Sequence, residues 1–241
     1  MKCSKIDPLA LLILLSTAAF ADTYAGDGAP VVGWTTGQGG NTYFNNASFD
    51  GGSRNVGFCM AGGGMCNPLG GSPGALPFWA TSATMAPDNV IFNATGPAST
   101  ATLLISIAGL KASDVFGIYN VADPTQMLAL GNGLGVSGSP FDPSGLGWTQ
   151  YGFYLSNQFG TFFSQSGLDG TTDSGNQHFV VFQGEGGAFF IGMEDQPFDI
   201  SDRDYNDILI KVQAIPEPST LLMMCSGLLG AAGVIRRKLV R

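Results

Sequence analysis

The residues best suited to chemistry are concentrated in one short stretch near the C-terminal end of the chain. Glu194-Asp195-Gln196-Pro197-Phe198-Asp199-Ile200-Ser201-Asp202-Arg203-Asp204-Tyr205-Asn206-Asp207 holds six carboxylates in fourteen residues. Asp202, Asp204 and Asn206 place oxygen donors at alternate positions. A hard cation needs several oxygens converging at about 2.3–2.6 Å, so this spacing suits calcium, with Asp207 and help from Glu194 or Asp195. The stretch is not an EF-hand: Asp207 stands where the loop glycine belongs, and Gln213 where the bidentate Glu belongs. A second explanation stays open. Asp and Asn side chains cap turns through local backbone hydrogen bonds, and Arg203 can pair with a neighbouring acid.

Catalytic constellations are sparse. The chain has a single histidine, His178, and neither a Gly-x-Ser-x-Gly elbow nor a His-Glu-x-x-His helix. Acids are plentiful, but no pair stands out for glycoside hydrolysis. Gly62-Gly63-Gly64 and Gly184-Glu185-Gly186-Gly187 do not lead into a lysine-bearing helix, so neither reads as a phosphate loop. No catalytic residue is assigned, and the expectation is a non-enzymatic protein.

Charge and composition narrow the class. Residues 22–214 carry sixteen acidic and four basic side chains, a balance of −12. Such a field repels phosphate backbones, which excludes nucleic acid as a partner and leaves divalent cations and neutral polymers. Glycine is high at 36 of 241 residues and charged residues make up only 12%. With 17 phenylalanines, this describes a turn-rich exported β domain better than a cytosolic enzyme.

The elements that must position the acidic stretch read as strands. Apolar runs at 89–94, 101–108, 114–121, 148–155, 178–183, 187–193 and 207–214 are separated by turn residues. Ile208, Ile210 and Val212 alternate with Leu209, Lys211 and Gln213, and Leu103, Ile105 and Ile107 share one face. Glu185-Gly186-Gly187 marks a hairpin. The predicted fold is all-β: an antiparallel β-sandwich of jelly-roll type with one buried face per sheet. Residues 31–86 read as a loop-rich opening, and 131–147 as a flexible connection.

Both ends read as addresses. Lys2 and Lys5, the apolar run from Leu9 to Leu15 and Ala19-Phe20-Ala21 make a signal peptide over 1–21, cleaved after Ala21. Residues 22–214 then form the exported domain. Cys59 and Cys66 are its two cysteines, flanking a six-residue glycine-rich loop, and a disulfide suits an oxidising compartment. A metal pair is the competing reading, without a Cys-x-x-Cys or a nearby histidine. The remaining segment, 215–241, opens with Pro216, Glu217 and Pro218. An apolar stretch over 219–235 follows, about 25 Å long as a helix and enough to span a thin bilayer. Arg236, Arg237 and Lys238 would hold the end on the cytoplasmic side.

In that order, the Pro-Glu-Pro triplet, short apolar helix and basic cluster resemble the PEP-CTERM sorting signal. The resemblance implies recognition at Pro216, Glu217 and Pro218 and cleavage by an exosortase, in a Gram-negative bacterium that makes exopolysaccharide. The acidic stretch in turn resembles the Glu-Asp…Asp-Arg-Asp-Tyr-Asn-Asp signature of a domain of unknown function found among PEP-CTERM and related surface proteins. That resemblance covers about 100–214 and implies no established activity. The expectation is an inner-membrane-anchored precursor that becomes a cell-surface or matrix protein associated with exopolysaccharide or biofilm. A calcium-dependent carbohydrate-binding module is the alternative, and a secreted hydrolase a weaker one. Exposed Trp, Tyr and Phe rings stack on sugars, although core packing is their default.

Overall fold

The computed structural model describes residues 22–31, 43–44, 55–57, 76–81, 85–95, 98–106, 108–135, 139–170 and 173–215. The predicted signal peptide, Cys59 and Cys66, the Pro-Glu-Pro triplet, the apolar stretch and the basic tail lie outside these residues. Among the described residues, no helix is long and apolar enough to cross a membrane.

Thirteen strands are described: β1 (Thr23–Tyr24), β2 (Ala29–Val31), β3 (Phe78–Ala80), β4 (Ile91–Asn93), β5 (Ser99–Ser106), β6 (Val115–Asn120), β7 (Asp123–Asn132), β8 (Ser139–Phe141), β9 (Gln150–Asn157), β10 (Gly160–Phe163), β11 (Phe179–Gln183), β12 (Phe189–Met193) and β13 (Ile208–Ala214). They form two antiparallel sheets. One runs β1-β4-β9-β6-β7, with β10 also pairing β9; the other runs β2-β3-β11-β12-β13-β5-β8. The all-β sandwich expected from the sequence is present, and every predicted run overlaps a strand.

Alternation in sequence becomes two-sidedness in space. Phe92, Phe116, Ile118, Tyr151, Phe153 and Leu155 of the first sheet meet Phe179, Val181, Ile191, Ile208, Ile210 and Val212 of the second in one buried core. Burying side chains of this size stabilises by about 1.5–3 kcal/mol each before chain entropy is set against it.

The expectation of one buried face per sheet holds only in part. Val180, Phe182, Phe190 and Leu209 point to the other side of the seven-stranded sheet, where they form a second core with Phe44, Val56, Phe78 and Tyr205. The central strands β11, β12 and β13 are therefore apolar on both faces, the pattern of a doubly covered sheet. This corrects the view of 31–86 as only a loop-rich opening: within it lie β3 and the pieces at 43–44 and 55–57 that cover the sheet. Likewise 131–147 is more than a connection, since it contains β8, which pairs β5 through Ser99↔Phe141.

The β11–β12 hairpin turns where expected. Gly186 and Gly187 adopt φ of 63° and 76°, conformations that a Cβ disfavours. Strand β5 carries an irregularity opposite β13: Leu209 faces Ile105 while Ile210 faces Leu103, leaving Leu104 as the extra residue of a bulge.

Candidate metal centre

The acidic stretch is the connection from the end of β12 to the start of β13, neighbours in the seven-stranded sheet. At the same end of the sandwich, the six-stranded sheet contributes the start of β6 and the end of β9, paired through Val115↔Ser156. The connection is pinned from both sides. Tyr205 is fully buried in the second core and donates its hydroxyl to the Gln177 carbonyl. Arg203 and Tyr205 both have φ of 56°, unusual for residues with a side chain and costing roughly 1–2 kcal/mol each. Packing of the Tyr205 ring against Tyr43, at 5.8 Å and edge-on, helps offset that strain.

His178 supplies a second anchor. Its ring is completely buried and stacked on Phe162 with centroids 4.0 Å apart. Nδ1 lies 3.2 Å from the Glu194 carbonyl oxygen, which can only accept, so Nδ1 carries a proton. Nε2 contacts the Asp173 carboxylate, whose other oxygen accepts the Phe198 N–H at 3.3 Å. Burial pushes the imidazole pKa down, against the pull of Asp173. With both ring nitrogens engaged in the interior, His178 orients the acidic stretch from behind.

The carboxylates themselves fall into two groups that share Glu194. One is Glu194, Asp195 and Asp207; the other is Glu194, Asp202 and Asp204. In each group, one oxygen from every residue lies within 4.8 Å of the others. Three oxygens up to 4.8 Å apart place their centre at most about 2.8 Å from each, so a small closing of the side chains would bring an ion into the ~2.3–2.6 Å range of calcium–oxygen bonds. Glu194 and Asp195 are both only 1% exposed.

Electrostatics agree with a site that lacks compensation. Burial, together with the Asp202 and Asp204 charges, pushes Glu194 up to about 8, against hydrogen bonds that favour its ionised form. Asp195 also rises to about 8 through burial, then the charges of Asp207 and Asp114. Asp207 is driven well above the carboxylate range by burial and by Glu194. Like charges taken out of water disfavour ionisation, and a divalent cation would reverse that preference. Arg203, the basic residue inside the stretch, turns aside: its Nη2 donates to the Phe198 carbonyl at 2.9 Å and its guanidinium lies 4.7 Å over the Phe198 ring. The donor set is all oxygen, which fits a hard cation.

The structure brings together Glu194, Asp195, Asp202, Asp204 and Asp207 as the sequence suggested. Asn206 also caps within the stretch. Its side-chain amide donates to Asp204 Oδ2 at 2.6 Å and its N–H to Oδ1 at 3.1 Å, the local capping that formed the second explanation. Ser201 Oγ similarly accepts the Arg203 N–H at 3.0 Å. Capping and ion-ready geometry thus occur in one connection.

Two residues escaped sequence reasoning. Asp114, just ahead of β6, is completely buried, and burial raises its pKa. Asn157, the last residue of β9, donates from Nδ2 to Asp114 Oδ1 at 3.0 Å and to the Asp195 carbonyl at 2.7 Å. Asp114 opens the run 114–121 and Asn157 follows the run 148–155, but neither sits in an acidic stretch, so no local signal marked them as ligand-bearing.

Comparison with known families supports the two-part organisation. Residues 110–215 match a domain of unknown function, DUF4114, which spans both the acidic connection and Asp114. Residues 214–238 match the PEP-CTERM protein-sorting motif. The chain thus carries a DUF4114 domain followed directly by a PEP-CTERM sorting motif, which supports exosortase-dependent sorting of an exported protein. No curated protein and no solved structure matches the chain.

Proposed function

We propose that the chain is a non-enzymatic envelope or extracellular-matrix protein, sorted and cleaved by an exosortase, associated with exopolysaccharide and ordered by calcium. The observation that carries the reading is the junction at Ala214. Strand β13 ends there, and the match to the sorting motif begins at the same residue. Cleavage near Pro216, Glu217 and Pro218 would therefore release the sandwich with its last strand still paired. In this reading 1–21 is a removed signal peptide, 219–235 holds the precursor in the inner membrane, and Cys59 and Cys66 are joined after export. Engagement of both His178 ring nitrogens supports a structural role for the chain's one histidine.

Localisation tests the sorting clause. The full chain and a Glu217→Ala variant are followed by fractionation in cells with and without the sorting enzyme. Release of the full chain only where the enzyme is present, with the variant retained in the membrane, supports the reading. Equal release of both sinks it. Sedimentation with purified exopolysaccharide, with and without chelator, tests the polymer and its dependence on calcium. Turnover on a panel of glycosides and esters would overturn the non-enzymatic assignment.

A further inference from the structure

We propose that the cation seat lies between the two sheets, formed by Asp114 with Asp195, Asp207 and Glu194, so that the bound ion clamps one sheet to the other. The inference rests on the calcium reading above and deepens it by choosing between the two carboxylate groups and adding a ligand from the opposite sheet.

The choice follows from unmet hydrogen-bonding capacity. Asp114 Oδ2 and Asp195 Oδ2 are buried and have no hydrogen-bond donor. The two residues are 0% and 1% exposed. Buried polar oxygens in native proteins nearly always have a partner, so two orphans belonging to interacting acids call for a cation or a shared proton. Asp204, by contrast, has both carboxylate oxygens occupied by Asn206.

The surrounding bonds place the ligands rather than consume them. Asn157 grips Asp114 by Oδ1 and Asp195 by its backbone carbonyl, leaving each Oδ2 available. The Asp195 N–H donates to Asp207 Oδ2 at 2.9 Å, which holds the third acid beside the second. Glu194 and Asp207 lie within 4.8 Å of Asp195 and of one another; Asp114 stands outside that group and reaches it through its contact with Asp195. Asp114 and Asn157 belong to the six-stranded sheet and its approach; Glu194, Asp195 and Asp207 flank strands of the seven-stranded one. Asp114 Oδ1, Asp207 Oδ2 and Glu194 Oε2 already accept protein hydrogen bonds, so the remaining oxygens of the four carboxylates would be joined by water to reach the six to eight that calcium takes. In this arrangement Asn157 is a positioning residue.

The test uses the full chain in detergent, stripped of metal and titrated with calcium chloride by calorimetry. One ion per chain is expected. Asp114→Asn should weaken binding at least tenfold, whereas Asp204→Asn should change it less than threefold. Hydrogen exchange on the unmodified chain gives a readout that needs no variant: calcium should slow the amides of residues 108–115 as well as those of 194–207. Binding that is lost in Asp204→Asn but retained in Asp114→Asn overturns the inter-sheet seat and leaves the calcium reading standing. Protection confined to 194–207 does the same. No heat and no protection at millimolar calcium overturns both.

Discussion

The hydroxyl of Tyr151 donates to Asp22 Oδ2 at 2.9 Å, joining the start of β9 to a residue 129 positions earlier. Asp22 is the residue expected to become first in the mature chain. Its carboxylate is also approached by the Ser99 hydroxyl at 3.4 Å and the Thr95 N–H at 3.1 Å. A buried hydrogen bond to a charged partner contributes about 1.5–3 kcal/mol. Tyr151→Phe should lower unfolding free energy by that amount in urea titrations of the exported protein. An unchanged midpoint would mean that the N-terminal residue is not docked in solution.

Calcium should raise the melting temperature. An ion that binds only the native state adds about 2.7 kcal/mol at a hundredfold excess over Kd. For a domain of this size that corresponds to roughly 5–10 °C. Thermal scans of the full chain in calcium and in chelator should separate by this interval. Superimposable scans would reduce the acidic connection to a set of turn caps.

Asp169 makes a pH prediction away from the acidic connection. Its Oδ1 accepts the Phe163 N–H, while its Oδ2 is buried without a donor. Burial, with a smaller push from Asp173, raises its pKa to about 8. The folded state therefore holds a proton that the unfolded chain releases above the ordinary value of 3.8. Its contribution is full below that value and is lost as pH rises through about 8, at up to about 1.4 kcal/mol per pH unit. Asp169→Asn should match the parent at low pH and exceed it at pH 8, measured by urea unfolding at constant calcium. Parallel pH profiles would show that Asp169 ionises freely.

Gly192 should not tolerate a side chain. A Cβ there would lie 2.6 Å from the Tyr205 carbonyl oxygen and 2.9 Å from Val180 Cγ1. The first neighbour is backbone already held at positive φ, so it cannot yield cheaply. Gly192→Ala should cost about 1–3 kcal/mol in chemical denaturation and weaken calcium binding by displacing the connection. Full stability in that variant would show that the connection can shift freely.

Much of this architecture is legible in the residues because burial imposes period two. The alternation of Ile208, Ile210 and Val212 is visible, and these three side chains do enter the main core. The same reasoning misplaces Leu209, since a single alternating strand cannot announce that its other face is also covered. Strand β7 is invisible for the opposite reason: it is an edge strand, largely exposed, and opens with Asp123-Pro124. The acidic connection stands out by composition. Asp114 does not, because its proximity to Asp195 is a product of sheet packing across 81 positions rather than of any local pattern.

The limits of the DUF4114 match do not coincide with those of the fold. Strand β5 lies before residue 110, yet seven residues of β13 pair with it. Strands β3 and β4 also lie outside the match, and they flank β11 and β9. A fragment cut at 110–215 would expose the inner edge of β13 and the apolar face that Phe44, Val56 and Phe78 cover. Such an edge is a template for pairing with other chains. Excised at those limits, the segment would aggregate rather than fold, so the heritable unit recognised by sequence is smaller than the autonomous folding unit that contains it.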